Sequence, residues 1–327
     1  MKLRKHYKGI FLIIILIIIT VSMLSIFRLI EMIIKRNSES PESPDYTDSG
    51  DSRVYYNGQW YTRDDDVETL LVLGIDSITA ADGTRDDSAQ ADFVALIVMD
   101  NGSGTYRILH INRDTMTDIN QLDKYGSRYG VFTAQLALAH TYGAEGRMQC
   151  RNTVDAVENL LYGVDIDHYL SVTMDAVAIV NDSIGGVTVT LNEDFPALGE
   201  GCVKGSKITL KGDQALTFVR YRNNEAESSN LERMERQRQY IGAVFEQYND
   251  ADTENTVETM MKVSEYMVSD CTVNKLSDIL ELLKGYTYEG TVPLAGEAVK
   301  GDVYVEFYVD EAALRKTVID LFYELEA

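Results

Sequence analysis

Residues 68–99 read ETLLVLGIDSITAADGTRDDSAQADFVALIVM. Two apolar runs, Glu68 to Ile75 and Ala91 to Met99, flank a polar segment that contains Gly83. Runs of this length that are almost continuously apolar predict buried strands. Asp76 closes the first run and Asp92 opens the second, so if the strands are neighbours both carboxylates emerge on one rim. Two converging carboxylates are a common seat for Mg²⁺ that also holds a phosphate. The bland alternative is that each aspartate simply forms a turn. Asp82, Asp86 and Asp87, in the loop between, are either rival ligands or solvated.

Further along, Tyr106 to Asn112 reads as a third strand running into Arg113, Asp114 and Thr115. Asp114 stands at that strand's exit and can join the other two acids. The run TAQLALAHTY, Thr133 to Tyr142, followed by Gly143, predicts a short helix with a glycine stop. Helices are expected over Asn152 to Tyr162, Asp175 to Ser183, Asp213 to Arg222 and Leu231 to Gln247, and strands over His168 to Thr173, Val187 to Leu191 and Lys207 to Lys211. Two more helices, a strand at Val303 to Val309 and a last helix at Glu311 to Glu324 complete the reading. Interleaved strands and helices without a second linker predict α/β architecture: one three-layer α/β/α domain with a central mixed β-sheet over residues 67–327.

Upstream of that domain the composition changes twice. Ile10 to Phe27, IFLIIILIIITVSMLSIF, is uncharged and long enough to cross a bilayer. Lys2, Arg4, Lys5 and Lys8 precede it, which places residues 1–9 in the cytoplasm, a single-pass anchor at 10–34 and the remainder outside the cell membrane. A cleaved signal peptide is the rival reading, but no small-residue cleavage site follows. Residues 35–66 contain the acidic, proline-containing NSESPESPDYTDSGDS, Asn37 to Ser52, and are expected to form a disordered stalk.

The formal net charge is −22, yet LTFVRYRNNEAESSNLERMERQRQY, Leu216 to Tyr240, gathers Arg220, Arg222, Arg233, Arg236 and Arg238. Ser229 with Glu232 fits a capping box, and Arg233, Arg236, Gln237 and Tyr240 then recur along one helix face. Guanidinium groups near a helix start suit a phosphate or pyrophosphate. The alternative is a solvated helix whose arginines pair with Glu225, Glu227, Glu232 and Glu235.

Other chemistries find less support. The chain contains no H-E-x-x-H, G-x-S-x-G or P-loop, and no helix-turn-helix signal or broadly basic face that would point to a nucleic acid. Cys150, Cys202 and Cys271 lack zinc spacing, and one bridge, Cys150 to Cys202, is the expected pairing outside the cell. His140 reads as a structural histidine.

LLVLGIDS, ADFVALIV, HINRDTM, VDIDHYLSVTMDAVAIVNDSIGGVTVT, GDQALTFVRYR and NLERMERQRQY occur in the order found in the LytR-CpsA-Psr family of cell-wall enzymes, which residues 67–247 resemble. The resemblance implies a membrane-anchored phosphotransferase outside the cell. Its donor is a polyprenyl-pyrophosphate-linked glycopolymer, such as teichoic acid or capsule, joined to peptidoglycan with release of polyprenyl phosphate. It further implies that Asp76 and Asp92 bind Mg²⁺ or Mn²⁺, that Arg113, Arg220, Arg222, Arg233 and Gln237 surround the pyrophosphate, and that an apolar pocket takes the lipid; within the arginine cluster itself Arg236 is a lesser candidate ligand. Gln90 stands where many members carry arginine, with Arg85 an alternative source of that contact. Asn230 stands where many carry aspartate, which leaves Asp114 as base or as the residue that orients Arg113. A lipid-pyrophosphate hydrolase and a noncatalytic lipid-phosphate-binding envelope regulator are the competing functions.

Overall fold

In a computed structural model of the chain, the described residues are 47–48, 53–77, 89–143, 146–222, 229–248, 258–259, 261–301 and 304–326. The expected anchor at 10–34, the cytoplasmic segment before it, Asp82, Arg85, Asp86, Asp87, Glu225 and Glu227 lie outside these residues. Among the described residues no helix is long and apolar enough to cross a membrane.

The strands are β1 (Thr47–Asp48), β2 (Arg53–Tyr56), β3 (Gln59–Arg63), β4 (Val67–Ile75), β5 (Ala91–Asp100), β6 (Thr105–Ile111), β7 (Met116–Leu122), β8 (Arg128–Gln135), β9 (His168–Thr173), β10 (Val187–Thr190), β11 (Lys207–Leu210), β12 (Met267–Ser269), β13 (Thr287–Pro293), β14 (Gly296–Lys300), β15 (Val305–Val309) and β16 (Tyr323–Leu325). The longer helices are α1 (Arg147–Leu160), α2 (Asp175–Ser183), α3 (Asp213–Arg220), α4 (Ser229–Tyr248), α5 (Val273–Gly285) and α6 (Glu311–Phe322). The chain divides into two compact units, the larger being Arg63–Glu324.

The centre of the larger unit is a six-stranded sheet in the order β12-β9-β4-β5-β6-β13. It is mixed: β4 is antiparallel to β5 and parallel to β9, and β13 is parallel to β6. The two faces of β4 explain its continuous apolar sequence. Leu71, Leu73 and Ile75 pack with Leu96, Leu109 and Ile111 against α1 and α6. Leu70 packs with Ala95, Ile97 and Ile108 against Leu276, Ile279 and Leu283 of α5 and Ile241 and Phe245 of α4. Helices on both faces make three layers, and each fully buried leucine contributes about 1.5–3 kcal/mol. A third cluster joins the β10-β11 hairpin and Phe218 of α3 to Tyr240 of α4.

Three expectations need correction. Thr133 to Tyr142 is not a helix: Arg128–Gln135 is a strand paired with β7, and only Leu136–Thr141 turns, as a 3₁₀ helix. The hairpin satisfies the backbone of residues 128–135, so tertiary pairing overrides the local apolar spacing. The stretch 35–66 contains a two-residue hairpin, because Tyr56 pairs Gln59 across Asn57 and Gly58, both at positive φ. Asn-Gly supplies that twist with little strain. Finally, all three cysteines are free; Cys150 is buried, its Sγ 3.8 Å from His140 Nε2, so the expected bridge to Cys202 is not formed.

Candidate active site: an arginine-lined cleft over an apolar cavity

The topology brings the acidic residues to one end of the sheet. β4 and β9 run in parallel and end at Ile75 and Thr173, while β5 starts there at Ala91. β6 runs antiparallel to β5, pairing Ile111 with Val94, and delivers Asn112, Arg113 and Asp114 to the same edge. The pairing of β4 with β5 shifts at this point: Gly74 faces Phe93, but Ile75 faces Ala91. Asp92 is the extra residue, and a β-bulge re-aims a side chain in this way at sheet ends. Gly74 is required because a Cβ there would lie 2.9 Å from Phe93 Cβ.

Asp92 is 7% exposed and stands in ion-pair contact with three arginines. Arg233 Nη1 donates to its Oδ2 at 2.8 Å, Arg222 Nη2 stands 3.6 Å from the same oxygen, and Arg113 Nη1 contacts Oδ1. Arg220 Nη2 donates to Asp76 Oδ1 at 2.8 Å. Arg113 also donates to Gln90 Oε1 and, through Nε, to Asp114 Oδ1 at 3.3 Å. Burial pushes the Arg113 and Arg233 guanidinium groups down to about 10, so both remain cationic at neutral pH. Four guanidinium groups thus face Asp76, Asp92 and Asp114, an excess of positive charge in an acidic protein.

Asp114 sits behind this row. Asn230 Nδ2 donates to its Oδ2 at 2.5 Å, and Gln135 Nε2 donates to its Oδ1 at 3.0 Å. Asn230 Nδ2 also reaches Asn112 Oδ1 at 3.1 Å, and Asn230 Oδ1 accepts from Arg233 Nη2 at 2.9 Å. Burial raises the Asp114 carboxyl above its ordinary value, against the opposing pull of Arg113. An asparagine at 230 therefore has a physical role: a carboxylate there would stand against Asp114, whereas the amide donates to it. Asn112 and Gln135 were not among the expected site residues. Gln135 was hidden by the helical reading of its segment.

The cluster of arginines is not one set. Arg236 turns away from Asp92: Nε donates to Phe218 O at 3.2 Å, Nη2 to Tyr221 O at 2.5 Å and Nη1 to Glu193 Oε1 at 2.7 Å, while its guanidinium lies over Phe195. It ties the end of α3, which carries Arg220 and leads into Arg222, to α4. Arg238 pairs with Glu235. Gln237 Nε2 donates to Val219 O at 3.2 Å and its side chain lines the cavity described next.

Beneath Arg220 and Arg233 opens a cavity of about 230 Å³. Val72, Phe93, Val172, Val177, Val180 and Val244 are among its walls, supplied by the sheet, α2 and α4. Thr173 Oγ1 and Gln237 Oε1 at this cavity, and Ser77 Oγ beyond β4, are buried with no hydrogen-bond partner among the described residues. Such atoms are costly to leave unpaired and are rare outside sites that receive a ligand or water. Cationic groups at the mouth of an apolar chamber fit an amphiphile with an anionic head. His140, by contrast, is buried with Nδ1 2.9 Å from Ala89 O and takes no part in the cleft.

The model of the LytR_cpsA_psr family matches residues 30–318. The polyisoprenyl-teichoic acid–peptidoglycan teichoic acid transferase TagU of Bacillus subtilis (strain 168) is 28% identical over 268 residues, which is 80% of this chain and 79% of that protein. Its namesake in Bacillus licheniformis is 29% identical over 240 residues, or 72% and 69% of the two chains. Among solved structures, B. subtilis TagV superposes with a TM-score of 0.61 at 22% identity, covering 79% of this chain and 97% of that one. TagT bound to LI-WTA gives 0.61 at 20% identity, covering 79% and 90%. At such identities the structural likeness speaks for the fold alone.

Proposed function

This chain belongs to the LytR-CpsA-Psr family, and from that premise we propose that it moves a polyprenyl-pyrophosphate-linked anionic glycopolymer, of the teichoic acid kind, onto peptidoglycan. The observation that carries the reading is Asp92 held among Arg113, Arg222 and Arg233 at the mouth of an apolar cavity. In this reading the cavity takes the start of the lipid and the arginines take the pyrophosphate.

The reaction asks mainly for positioning and charge neutralisation. An acceptor sugar hydroxyl bonds to the sugar-bearing phosphorus, the bond from that phosphorus to the bridging oxygen breaks, and polyprenyl phosphate leaves with that oxygen. The hydroxyl proton passes to solvent. Arg113, Arg220, Arg222 and Arg233 exchange their carboxylate partners for phosphoryl oxygens. Asp114, with both oxygens already accepting, orients Arg113 and Asn230 instead of serving as base. Arg236 positions the Arg220–Arg222 segment from behind.

Asp76 and Asp92 offer hard oxygen donors at adjacent strand ends, and Mg²⁺ is commonly held by one or two carboxylates together with substrate phosphates. The donor set therefore fits Mg²⁺ or Mn²⁺, which when bound supplies further neutralisation of phosphoryl charge. Residues 10–34 would hold the site near a membrane-borne donor, raising its effective concentration.

The test incubates the full chain with a polyprenyl-pyrophosphate glycopolymer, with and without peptidoglycan and Mg²⁺, and follows polyprenyl phosphate and polymer-bearing glycan. Release that requires the acceptor and yields linked polymer supports transfer. Release of sugar phosphate without acceptor would make the protein a hydrolase, and tight lipid binding without turnover a regulator.

A further inference from the structure

We propose that His168, Asp270 and Cys271 form a second, separate site that binds a borderline divalent transition metal of the Zn²⁺ type. It lies at the start of β9, the opposite end of that strand from the cleft. One ligand atom from each residue lies within 4.8 Å of the others. Donors around one tetrahedral Zn²⁺ stand about 3.3–3.8 Å apart, so small side-chain rotations close the set. Neutral imidazole, thiolate and carboxylate are the ligand types that such an ion selects.

The three residues are brought together by the sheet and fixed individually. β12 runs antiparallel to β9 with Ser269 opposite Leu170, so Asp270 and Cys271 continue alongside Tyr169 and His168. The Tyr169 backbone N–H donates to Asp270 Oδ1 at 3.0 Å, which sets the carboxylate and leaves its second oxygen for a ligand. Ser269 Oγ donates to Tyr169 O at 2.5 Å and accepts from the Cys271 N–H at 3.0 Å, holding the cysteine backbone. Glu68 Oε1 lies 3.3 Å from His168 Nε2 and accepts from Lys275 Nζ at 2.6 Å. A carboxylate that takes one imidazole N–H leaves the other nitrogen's lone pair for metal and fixes the ring, the support typical of metal-bound histidines. Lys275 is neutralised by the same carboxylate, so it does not oppose a dication alone.

A metal here would pin the edge strand β12 and the start of α5 to β9. It would stabilise the fold in proportion to the logarithm of metal concentration over Kd. The site shares no residue with the cleft, so it can fail while the proposed transfer activity stands.

The test uses the full chain in detergent, reduced and stripped with chelator, and titrates Co²⁺ as an optical stand-in. The expected result is one thiolate-bound Co²⁺ per chain, counted from a near-ultraviolet thiolate-to-cobalt charge-transfer band with the visible bands of four-coordination, all bleached by Zn²⁺. Cys271→Ser should abolish the charge-transfer band, and Glu68→Gln should weaken binding about 10–100-fold. His168→Ala should weaken it at least as much. Cys150→Ser, Cys202→Ser and Asp92→Asn should leave the band in place. The metal-free unfolding midpoint of each variant reports whether it folds, and added Zn²⁺ should raise that midpoint in the parent chain but not in His168→Ala. Absence of the charge-transfer band, or its survival in Cys271→Ser, would overturn the proposal.

Discussion

Arg233 Nη1 meets Asp92 Oδ2 at 2.8 Å with the arginine only 2% exposed, so a cation from helix α4 neutralises a carboxylate that a β-bulge has pushed out of the sheet. Neither charge could be buried alone without a cost of several kcal/mol. The pair is therefore poised for exchange: whichever anion arrives must offer Arg233 at least as good a partner. The second Arg233 arm is held by Asn230, which keeps the guanidinium plane fixed while the first arm changes partner.

Replacing Arg233 by lysine keeps the charge but loses the fork. The expected outcome is a fall in transfer rate of about 10²–10³-fold, the usual loss for a donor aimed at developing charge. Urea unfolding should show a loss of about 1–3 kcal/mol, because Asn230 or Asp92 loses its donor. A lysine variant that transfers at the parental rate would remove Arg233 from the site.

Asp114 should set an acid limb in the rate profile. Burial raises its carboxyl above 3.8, so on acidification it takes a proton before an exposed aspartate does and ceases to hold Arg113 as a carboxylate. Transfer should therefore fall with decreasing pH at a pH above the ordinary aspartate value, and Asp114→Asn should be slow at every pH and lack that limb. The stability sign is opposite: a raised carboxyl contributes stability at low pH that is lost as pH rises through the folded value. A parental acid limb in the Asn variant would refute this assignment.

Arg236→Gln tests the positioning role. The substitution strands the carbonyls of Phe218 and Tyr221, each worth about 1–3 kcal/mol when left unpaired. If the α3 end moves by about 1 Å, misplacement of Arg220 and Arg222 can cost up to about 10²-fold in kcat/KM. Arg236→Lys should recover part of both losses. A residue that bound pyrophosphate directly would instead lower affinity for inorganic pyrophosphate without moving the unfolding midpoint.

How much of this was legible in the sequence depends on whether the signal was local. His168–Thr173 and Asp175–Ser183 were read to the residue because their periodicity and turn glycines agree with their tertiary setting. The acids and most arginines were also legible, as a run of charge against apolar strand ends. Asn57-Gly58 between aromatic residues was a hairpin signal that the acidic stretch before it masked. The fate of Arg236 was not legible: its spacing places it beside Arg233, and only the position of the Phe218 and Tyr221 carbonyls shows that it points elsewhere. The bulge at Asp92 was equally hidden, since one extra residue leaves no mark on an apolar run.

His110 should govern acid stability. It is 2% exposed, its Nδ1 has no hydrogen-bond partner among the described residues, and its ring packs 5.0 Å from Phe93. Burial, with smaller contributions from Arg238 and Arg233, pushes it down to about 3. The unfolded chain protonates near 6.5 while the folded chain does not, so this stability is present above 6.5 and is lost as pH falls, at about 1.4 kcal/mol per unit. His110→Leu should flatten the decline between pH 6.5 and 4.5 and leave stability at pH 7.5 unchanged or higher, because an orphaned polar atom is removed. Urea midpoints across that range decide it; an unaltered slope would place the titration elsewhere.

The cavity predicts a dependence on lipid length that the arginines cannot produce. Val180 on α2 and Val244 on α4 are among its lining residues, whereas Arg113 and Arg222 are not. Val180→Phe or Val244→Phe should fill the chamber without touching the ion pairs at Asp92. Each methylene displaced from an apolar site forfeits about 0.8 kcal/mol, so excluding two costs more than tenfold in affinity for a long prenyl pyrophosphate. Binding of inorganic pyrophosphate, which has no tail, should be unchanged in both variants. Calorimetry with the two ligands separates the outcomes. Equal weakening of both would mean that the substitutions had disturbed the cleft, and no weakening of either would place the lipid outside this cavity. Selective loss of the long-chain ligand in two variants on different helices can arise only if the tail lies between them.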